Sequence, residues 1–237
     1  MLAPKLLVLA GTQEARMLLT RVTDVPVLAS LAGRTAHPVD LGVATRVGGF
    51  GGADGFRAAL SGIRAVLDAT HPFAARISDR TARICAQMSV PYLRLSRPPW
   101  PDAPGWRHHP SAEDCAKALP AGARVFLSTG PGSLRPFLGR GLHLVCRRVD
   151  PAPQVAGVTW VIGTPPFQRV QESALFAHHG ITHLVTKNAG GARAKLDAAD
   201  QMDIAVHMID RPPIPVGEET HDIAQAEAFL RAHADHP

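Results

Sequence analysis

Short glycine-containing turns follow several apolar runs of the chain, and they carry most of the residues that could bind a ligand. In the first turn, Gly11 and Thr12 precede an amphipathic segment. A glycine that opens a helix lets a phosphate approach the backbone, and the amides of the first helical turn can then bind it. Only one of the three glycines of the G-x-G-x-x-G fingerprint is present, so a tight turn with Thr12 as N-cap explains the same residues.

Ser30 and Arg34 follow the second apolar run, about 20 residues beyond Gly11, where a dinucleotide-binding fold meets the adenosine ribose. An NAD-specific site places a carboxylate there to bind the ribose 2′-hydroxyl. This chain offers a hydroxyl and a guanidinium instead, which fits the 2′-phosphate of NADP. A solvated surface arginine is the alternative interpretation of Arg34.

Two further turns that follow apolar runs also carry residues that could bind a ligand. Residues 48–52 contain four glycines, including Gly51, and leave the backbone open to a planar or phosphate group. Thr70 and His71 follow the fourth apolar run, where Thr70 could contact a ribose or phosphate. His71 could bind the cofactor or exchange a proton near neutral pH. Asp68 fits a helix-cap or turn residue as well as it fits a catalytic one.

The second half of the chain repeats this arrangement. Lys187 and Asn188 follow an apolar run and precede Gly190 and Gly191. A lysine in a glycine-containing turn forms an anion site, either for a cofactor pyrophosphate or for a substrate carboxylate.

These turns require elements that alternate between short buried strands and amphipathic helices. The alternation predicts an α/β fold with two Rossmann-like parallel-sheet domains and a cleft between them. Four prolines in residues 98–105 exclude helix and central strand there. We therefore predict an NADP-binding domain at 1–97 and a second α/β domain at 98–237. Residues 131–138 are predicted as helix, 151–166 as irregular.

The amino-acid composition indicates which kind of ligand or partner the protein binds. The net charge is +5, and of 25 basic residues only four are lysine, so bidentate binding of an anionic small molecule is favoured. Scattered arginines and 5% aromatic residues argue against nucleic acid. The three cysteines are isolated and the histidine doublets have poor ligand geometry, so we predict no metal. Short apolar runs predict no membrane span and a cytoplasmic location.

Taken in order, the stretches LLVLAGTQEAR, SLAGR, VGGFGG, DATHPFA, LSTG and TKNAGG resemble those of the precorrin-6A reductase family over residues 5–195. The resemblance implies NADPH-dependent reduction of precorrin-6A to precorrin-6B, by hydride transfer to a tetrapyrrole in cobalamin biosynthesis. From what hydride transfer requires, we further hypothesise that His71, near the nicotinamide, is the catalytic residue and serves for orientation or proton supply. The implied cofactor contacts are Gly11, Thr12, Ser30, Arg34, Gly51, Thr70, His71, Lys187 and Asn188.

Three other functions remain open at this stage. The first is the cobalt-precorrin-6A version of the same reaction, which could use NADH. The second is a non-catalytic nucleotide-binding module, which would bind the cofactor without oxidising it. The third is a glycosyl transferase with two Rossmann-like lobes, although no clear carboxylate base is present.

Overall fold

The computed structural model describes residues 5–33 and 40–234 and divides the chain into two compact units. Unit 1 comprises Met1–Pro98 and Pro212–Pro237, and unit 2 comprises Pro99–Arg211. The chain therefore enters unit 2 within the proline-rich segment, as its composition indicates. Within the described ranges, every helix is too short or too polar to span a lipid bilayer.

Strands and helices alternate along both units. The strands are β1 (Leu6–Leu9), β2 (Val27–Leu31), β3 (Ala44–Val47), β4 (Ala65–Asp68), β5 (Tyr92–Leu95), β6 (Arg107–His109), β7 (Arg124–Leu127), β8 (His143–Arg148), β9 (Val158–Ile162), β10 (His183–Lys187), β11 (Ala205–Ile209) and β12 (Glu218–Thr220). The α-helices are α1 (Gln13–Leu19), α2 (Gly52–Ala59), α3 (Ala75–Gln87), α4 (Ala112–Ala118), α5 (Arg169–His179), α6 (Ala194–Gln201) and α7 (Ile223–Ala234).

Unit 1 contains one six-stranded sheet in the order β12-β5-β4-β1-β2-β3, and every pairing in it is parallel. The order runs outward from β1 in both directions, through β2 on one side and through β4 on the other. This reversal makes the carboxyl ends of β1 and β4 a topological switch point, the place where open α/β sheets bind ligands.

Both faces of this sheet are buried, because alternate residues of each strand pack against different helices. In β1, Leu6 and Val8 belong to the cluster that α1 and α7 cover, whereas Leu7 and Leu9 pack with Phe56 of α2 and with α3. All four residues of β1 are buried, as are all four of β4. Each fully buried leucine contributes about 2 kcal/mol, so the two-sided core stabilises the strands that carry the switch point.

The last segment of the chain, Pro212–Pro237, belongs to unit 1. The predicted second domain at 98–237 had included this segment instead. Strand β12 extends the unit 1 sheet by pairing with β5, with Glu218 opposite Leu93. Helix α7 then buries Ala226 and Leu230 in the core cluster of β1. The apolar face of α7 could have packed on either sheet, and only the long-range pairing of β12 assigns it to the first.

Unit 2 repeats this scheme with a second parallel sheet, in the order β6-β11-β10-β7-β8-β9. Its strand order reverses at β7, so β7 and β10 form a corresponding switch point. The prediction of two parallel α/β sheets with Rossmann-like order is confirmed.

Two local predictions in unit 2 were wrong. Residues 131–138 form two short 3-10 turns, Pro131–Ser133 and Arg135–Phe137, rather than an α-helix. Pro136 lacks the N–H that a continuous helix needs, and its ring would clash with the carbonyl one turn earlier. Residues 151–166, predicted as irregular, include strand β9, whose β-branched residues pair with β8.

One ion pair is buried inside unit 2. Arg147 of β8 donates to both carboxylate oxygens of Glu172 of α5, at 2.6 and 2.7 Å. The Glu172 side chain is 2% exposed, and the guanidinium also lies 3.9 Å from the ring centroid of Phe167. This pair ties a strand to the helix that covers it, and either partner left alone would be an uncompensated buried charge.

We therefore expect Glu172→Ala to lower the free energy of unfolding by about 3–5 kcal/mol, because the guanidinium of Arg147 would lose its anion. The exposed pair between Arg193 and Asp197 provides a matched control, since its N–O distance is 3.2 Å but both side chains are over a third exposed. Asp197→Ala should cost less than about 1 kcal/mol. Urea denaturation of the two variants measures both values, and equal costs would contradict the assignment.

Candidate functional site

The switch point of unit 1 is held together by Thr12, which follows β1. The Thr12 hydroxyl donates a hydrogen bond of 3.0 Å to the carbonyl of Ala69, which follows β4. The same oxygen accepts from the amide of Ala15 at 3.2 Å and so caps α1. The side chain is 5% exposed. Thr12 therefore acts as an N-cap, as the sequence allows, and it also joins the two loops between which a ligand would enter.

Gly11 lies beside this junction and is exposed. Among the described residues, a Cβ built at Gly11 would meet no atom within 4 Å apart from those of its chain neighbours. A side chain there would occupy the open space at the end of β1. This is the arrangement expected where a ligand approaches the backbone closely.

Thr70 and Asp68 organise the loop after β4. The Asp68 carboxylate is fully buried, accepts from the Thr70 amide at 3.0 Å and accepts from the Tyr92 hydroxyl at 3.0 Å. Burial, followed by the charge of Asp68, raises the pKa of Tyr92, so Tyr92 is a neutral donor. The Thr70 hydroxyl lies 3.2 Å from the Ser78 hydroxyl on α3. Asp68 therefore acts as a turn residue, and its hydrogen bond with the Thr70 amide positions Thr70.

His71 comes next on the same loop and is partly buried. Its Nδ1 accepts a hydrogen bond of 3.2 Å from the Phe73 amide. An Nδ1 that accepts requires the neutral ring to carry its proton on Nε2. His71 can therefore present an N–H donor from the loop that follows β4.

Ser30 contacts an arginine that the sequence analysis missed. In the register of β2 and β3, Ser30 lies opposite Arg46, and Arg46 donates to the Ser30 hydroxyl at 2.8 Å. Arg46 also donates to the carbonyls of Gly48 and Gly49 at 3.0 and 2.9 Å, and its guanidinium lies 3.9 Å from the Phe50 ring centroid. An arginine directly before a glycine-rich turn was the signal that could have identified it. Arg34, the predicted partner of Ser30, lies outside the described residues.

Two glycines after β3, one at the start of α2 and one inside it, are required for different reasons. Gly51 is the N-cap of α2 and has φ of 74°, in the left-handed region that disfavours other residues. Gly55, inside α2, lies so close to the preceding turn that an added Cβ would be 1.7 Å from the Phe50 carbonyl oxygen. The turn therefore folds back tightly on its own helix and presents Arg46 at the edge of the sheet.

Lys187 and Asn188 lie in unit 2, at the end of β10. The Asn188 side-chain oxygen accepts from the Trp100 amide at 2.9 Å, and the Trp100 indole donates to the Gly191 carbonyl at 2.8 Å. Asn188 therefore fastens the first residues of unit 2 to the turn after β10. Thr129, which follows β7 at the switch point of unit 2, has a buried hydroxyl with no hydrogen-bond partner among the described residues.

The structure thus brings Gly11, Thr12 and Thr70 together at one switch point, with His71 following Thr70 on the same loop. Ser30 lies one strand further along the same carboxyl edge, beside Arg46. Gly51 begins α2 after β3, and Lys187 and Asn188 lie at the equivalent edge of unit 2. The unit 1 residues combine an open backbone, three hydroxyls and a guanidinium, a set suited to a phosphorylated nucleotide.

Comparison with known proteins identifies the family of the chain. A family model described as precorrin-6x reductase CbiJ/CobK matches residues 5–231. A precorrin-6A reductase of Rhodococcus erythropolis is 41% identical over 241 residues, which cover 95% of this chain and 97% of that protein. A precorrin-6A reductase of Rhodobacter capsulatus is 39% identical and covers 98% of both chains.

A solved structure of CobK precorrin-6A reductase superimposes on this chain with a TM-score of 0.90, at 39% sequence identity and with 98% of each chain covered. Sequence and fold therefore match along nearly the whole length of both proteins. The chain belongs to the precorrin-6x reductase CbiJ/CobK family.

Proposed function

We propose that this chain reduces precorrin-6A to precorrin-6B, with NADPH as the hydride donor, in cobalamin biosynthesis. Family membership supports the reaction. The observation that carries the choice of cofactor is the pair of Ser30 and Arg46 at the ends of β2 and β3, where a doubly wound sheet meets the adenosine ribose. The proposal retains the expectations of a cytoplasmic location and of no nucleic-acid partner.

The residues of unit 1 fit a dinucleotide in three places. The open space at Gly11 admits a pyrophosphate against the backbone. The Thr70 hydroxyl lies across the switch point from it, within reach of a ribose or phosphate oxygen. Arg46 and Ser30 supply the charge and the hydroxyl that a 2′-phosphate requires. Gly51 keeps the neighbouring turn in the conformation that places Arg46.

Arg46 is held in position before any ligand binds. Three hydrogen bonds and the ring of Phe50 restrain its guanidinium, so little further side-chain entropy is lost when a phosphate binds. The acceptors on Arg46 are neutral, because they are a hydroxyl and two carbonyls. Its positive charge is therefore not compensated by those contacts and favours an anion. Arg34 stays a predicted second contact to the same phosphate.

The cofactor supplies the hydride, and the chain provides orientation and proton control. His71 follows Thr70, so it lies on the loop at the switch point, and the Nε2–H of its neutral ring can donate a hydrogen bond to a neighbouring acceptor. We assign it to orientation of the substrate or to proton supply. The substrate is a polyanion, which the net charge of +5 favours. Lys187 and Asn188 are proposed as contacts to cofactor or substrate.

The reaction itself is tested by mixing the protein with precorrin-6A and NADPH in the absence of air. We expect the absorption of NADPH to fall in step with the change in the absorption of the macrocycle, and NADH to be used poorly. A non-catalytic nucleotide-binding module would bind NADPH without oxidising it. Turnover only with the cobalt-containing substrate would identify the alternative reaction instead.

Arg46→Gln should raise the KM for NADPH by about 10- to 100-fold while leaving kcat and the KM for NADH nearly unchanged, because a charge-assisted contact to phosphate contributes about 1.5–3 kcal/mol. Steady-state kinetics with both cofactors measures this. Arg57→Gln is the matched control, since Arg57 lies on α2 and binds Asp54 and Gln87. An equal loss with NADPH and NADH would show that Arg46 supports the turn rather than the 2′-phosphate.

His71→Ala should slow single-turnover hydride transfer by about 100-fold or more if the imidazole supplies a proton, and it should remove an ionisation from the pH profile of the rate. Rapid mixing of the NADPH complex with substrate measures the step without product release. The exposed His178 on α5 serves as control, and His178→Ala should leave the rate unchanged. An unchanged rate in His71→Ala would exclude the proposed role.

A further inference from the structure

Unit 2 contains a buried group of metal-binding side chains that is separate from the switch points. Its members are His109 at the end of β6, Cys115 on α4 and His207 in β11. Strand β6 pairs with β11 at the edge of the sheet, and α4 packs on both strands. The three residues are distant in sequence, and the fold places them between the sheet and α4.

The ligand atoms of the three side chains lie within 4.8 Å of one another. The Nε2 of His109 and the Nδ1 of His207 are 2.9 Å apart, and the two rings are parallel within 3°. Cys115 and His207 have no exposed surface, and His109 is 8% exposed. The cluster thus offers two imidazoles and a sulfur in a space from which bulk water is excluded.

The hydrogen bond between the histidines leaves polar groups unsatisfied. His207 Nε2 is buried and has no hydrogen-bond partner among the described residues. A buried polar atom without a partner costs about 1–3 kcal/mol, so such an arrangement calls for an explanation. Burial also lowers the pKa of His207 to about 4 and lowers that of His109, so both rings are neutral, the form that binds metal ions.

We propose that His109, Cys115 and His207 bind one zinc-class ion, a function separate from cofactor and substrate binding. Imidazole and thiolate are the donors that zinc prefers, and three protein ligands leave a fourth position for a small molecule or water. This departs from the expectation of no metal, which rested on sequence spacing alone. The site depends on the pairing of β6 with β11, which no local spacing reveals.

Binding requires modest rearrangement and one proton release. Nitrogen ligands lie about 2.0–2.1 Å from zinc, so two of them are roughly 3.3 Å apart, slightly wider than the present histidine pair. Burial raises the pKa of the Cys115 thiol to about 12 without metal. A sulfur–metal bond therefore forms as the S–H bond breaks, and that proton leaves to solvent. One nitrogen of each imidazole binds the ion in place of the histidine hydrogen bond. The ring that donated this bond shifts its proton to its other nitrogen, so each ring stays neutral with one N–H.

Cobalt provides a spectroscopic test that does not depend on enzymatic activity. The purified protein is stripped with a chelator and titrated with Co²⁺. We expect saturation at about one ion per chain, with d–d bands of a tetrahedral site and a thiolate-to-metal charge-transfer band. Added Zn²⁺ should abolish both, and Zn²⁺ should raise the Tm of the stripped protein, because it binds the folded state. Failure of Co²⁺ and Zn²⁺ to bind would overturn the proposal.

The other two cysteines supply matched controls. Cys85 and Cys146 are also buried free thiols whose pKa burial raises to about 12, and neither belongs to the cluster. Cys115→Ser should eliminate the charge-transfer band and weaken Co²⁺ binding at least about 10-fold, whereas Cys85→Ser and Cys146→Ser should retain both. His207→Asn provides a second cluster variant, with folding checked by circular dichroism.

Two outcomes would contradict the zinc site in the intact protein. Undiminished Co²⁺ binding in both Cys115→Ser and His207→Asn would place the ion elsewhere, for example at the adjacent His178 and His179 on α5. Tight binding of Cu⁺ under anaerobic conditions together with exclusion of Zn²⁺ would assign the cluster to copper instead. Because none of these measurements uses NADPH or precorrin-6A, their failure leaves the proposed reduction untouched.

Discussion

Parallel pairing of β1 with β2 on one side and β4 on the other is the constraint on which the candidate site depends. The loop after β1 leads to α1 on one face of the sheet, and the loop after β4 leads to α3 on the other. Two loops that turn to opposite faces leave an opening between them at the carboxyl edge. The hydrogen bond from Thr12 to Ala69 links the two loops, and the strands beneath them are fully buried.

A positive charge lies one strand further along the same sheet edge. Arg46 is the guanidinium beside Ser30, and its described hydrogen bonds are made to neutral oxygens. A cation held by neutral acceptors keeps its attraction for an anionic ligand, whereas one paired with a carboxylate would not. The compact glycine turn supplies two of those acceptors and so holds Arg46 without neutralising its charge.

The two units share a strand order but differ in the polar groups that they bury. Unit 1 buries Asp68, which orders the loop carrying Thr70 and His71. Unit 2 buries the ion pair of Arg147 and Glu172 and a cluster of two histidines and a cysteine. A buried charge needs a partner, and neutral imidazoles beside a thiol are a ready donor set for a metal. The two units therefore have the same strand order but bury different polar residues, and those residues determine which ligands each unit could bind.

Local pattern in the sequence was sufficient for much of this protein. The alternation of apolar runs with amphipathic segments determined the α/β class, and the turns at strand ends indicated Gly11, Thr12 and Thr70 as candidate ligand contacts. These features depend on periodicity and on turn chemistry, which act over a few residues. Local pattern failed at residues 131–138, where the apolar spacing resembled a helix but Pro136 prevents one.

Contacts between distant segments were decided only by the tertiary structure. The pairing of β12 with β5 returns the end of the chain to unit 1, and the register of β2 and β3 sets Arg46 opposite Ser30. The pairing of β6 with β11 assembles a histidine and cysteine cluster whose members no spacing connects. The hydrophobic periodicity of a strand determines which of its faces is buried. The strand with which it pairs depends on the free energy of the whole sheet, and one segment of the sequence does not determine that free energy.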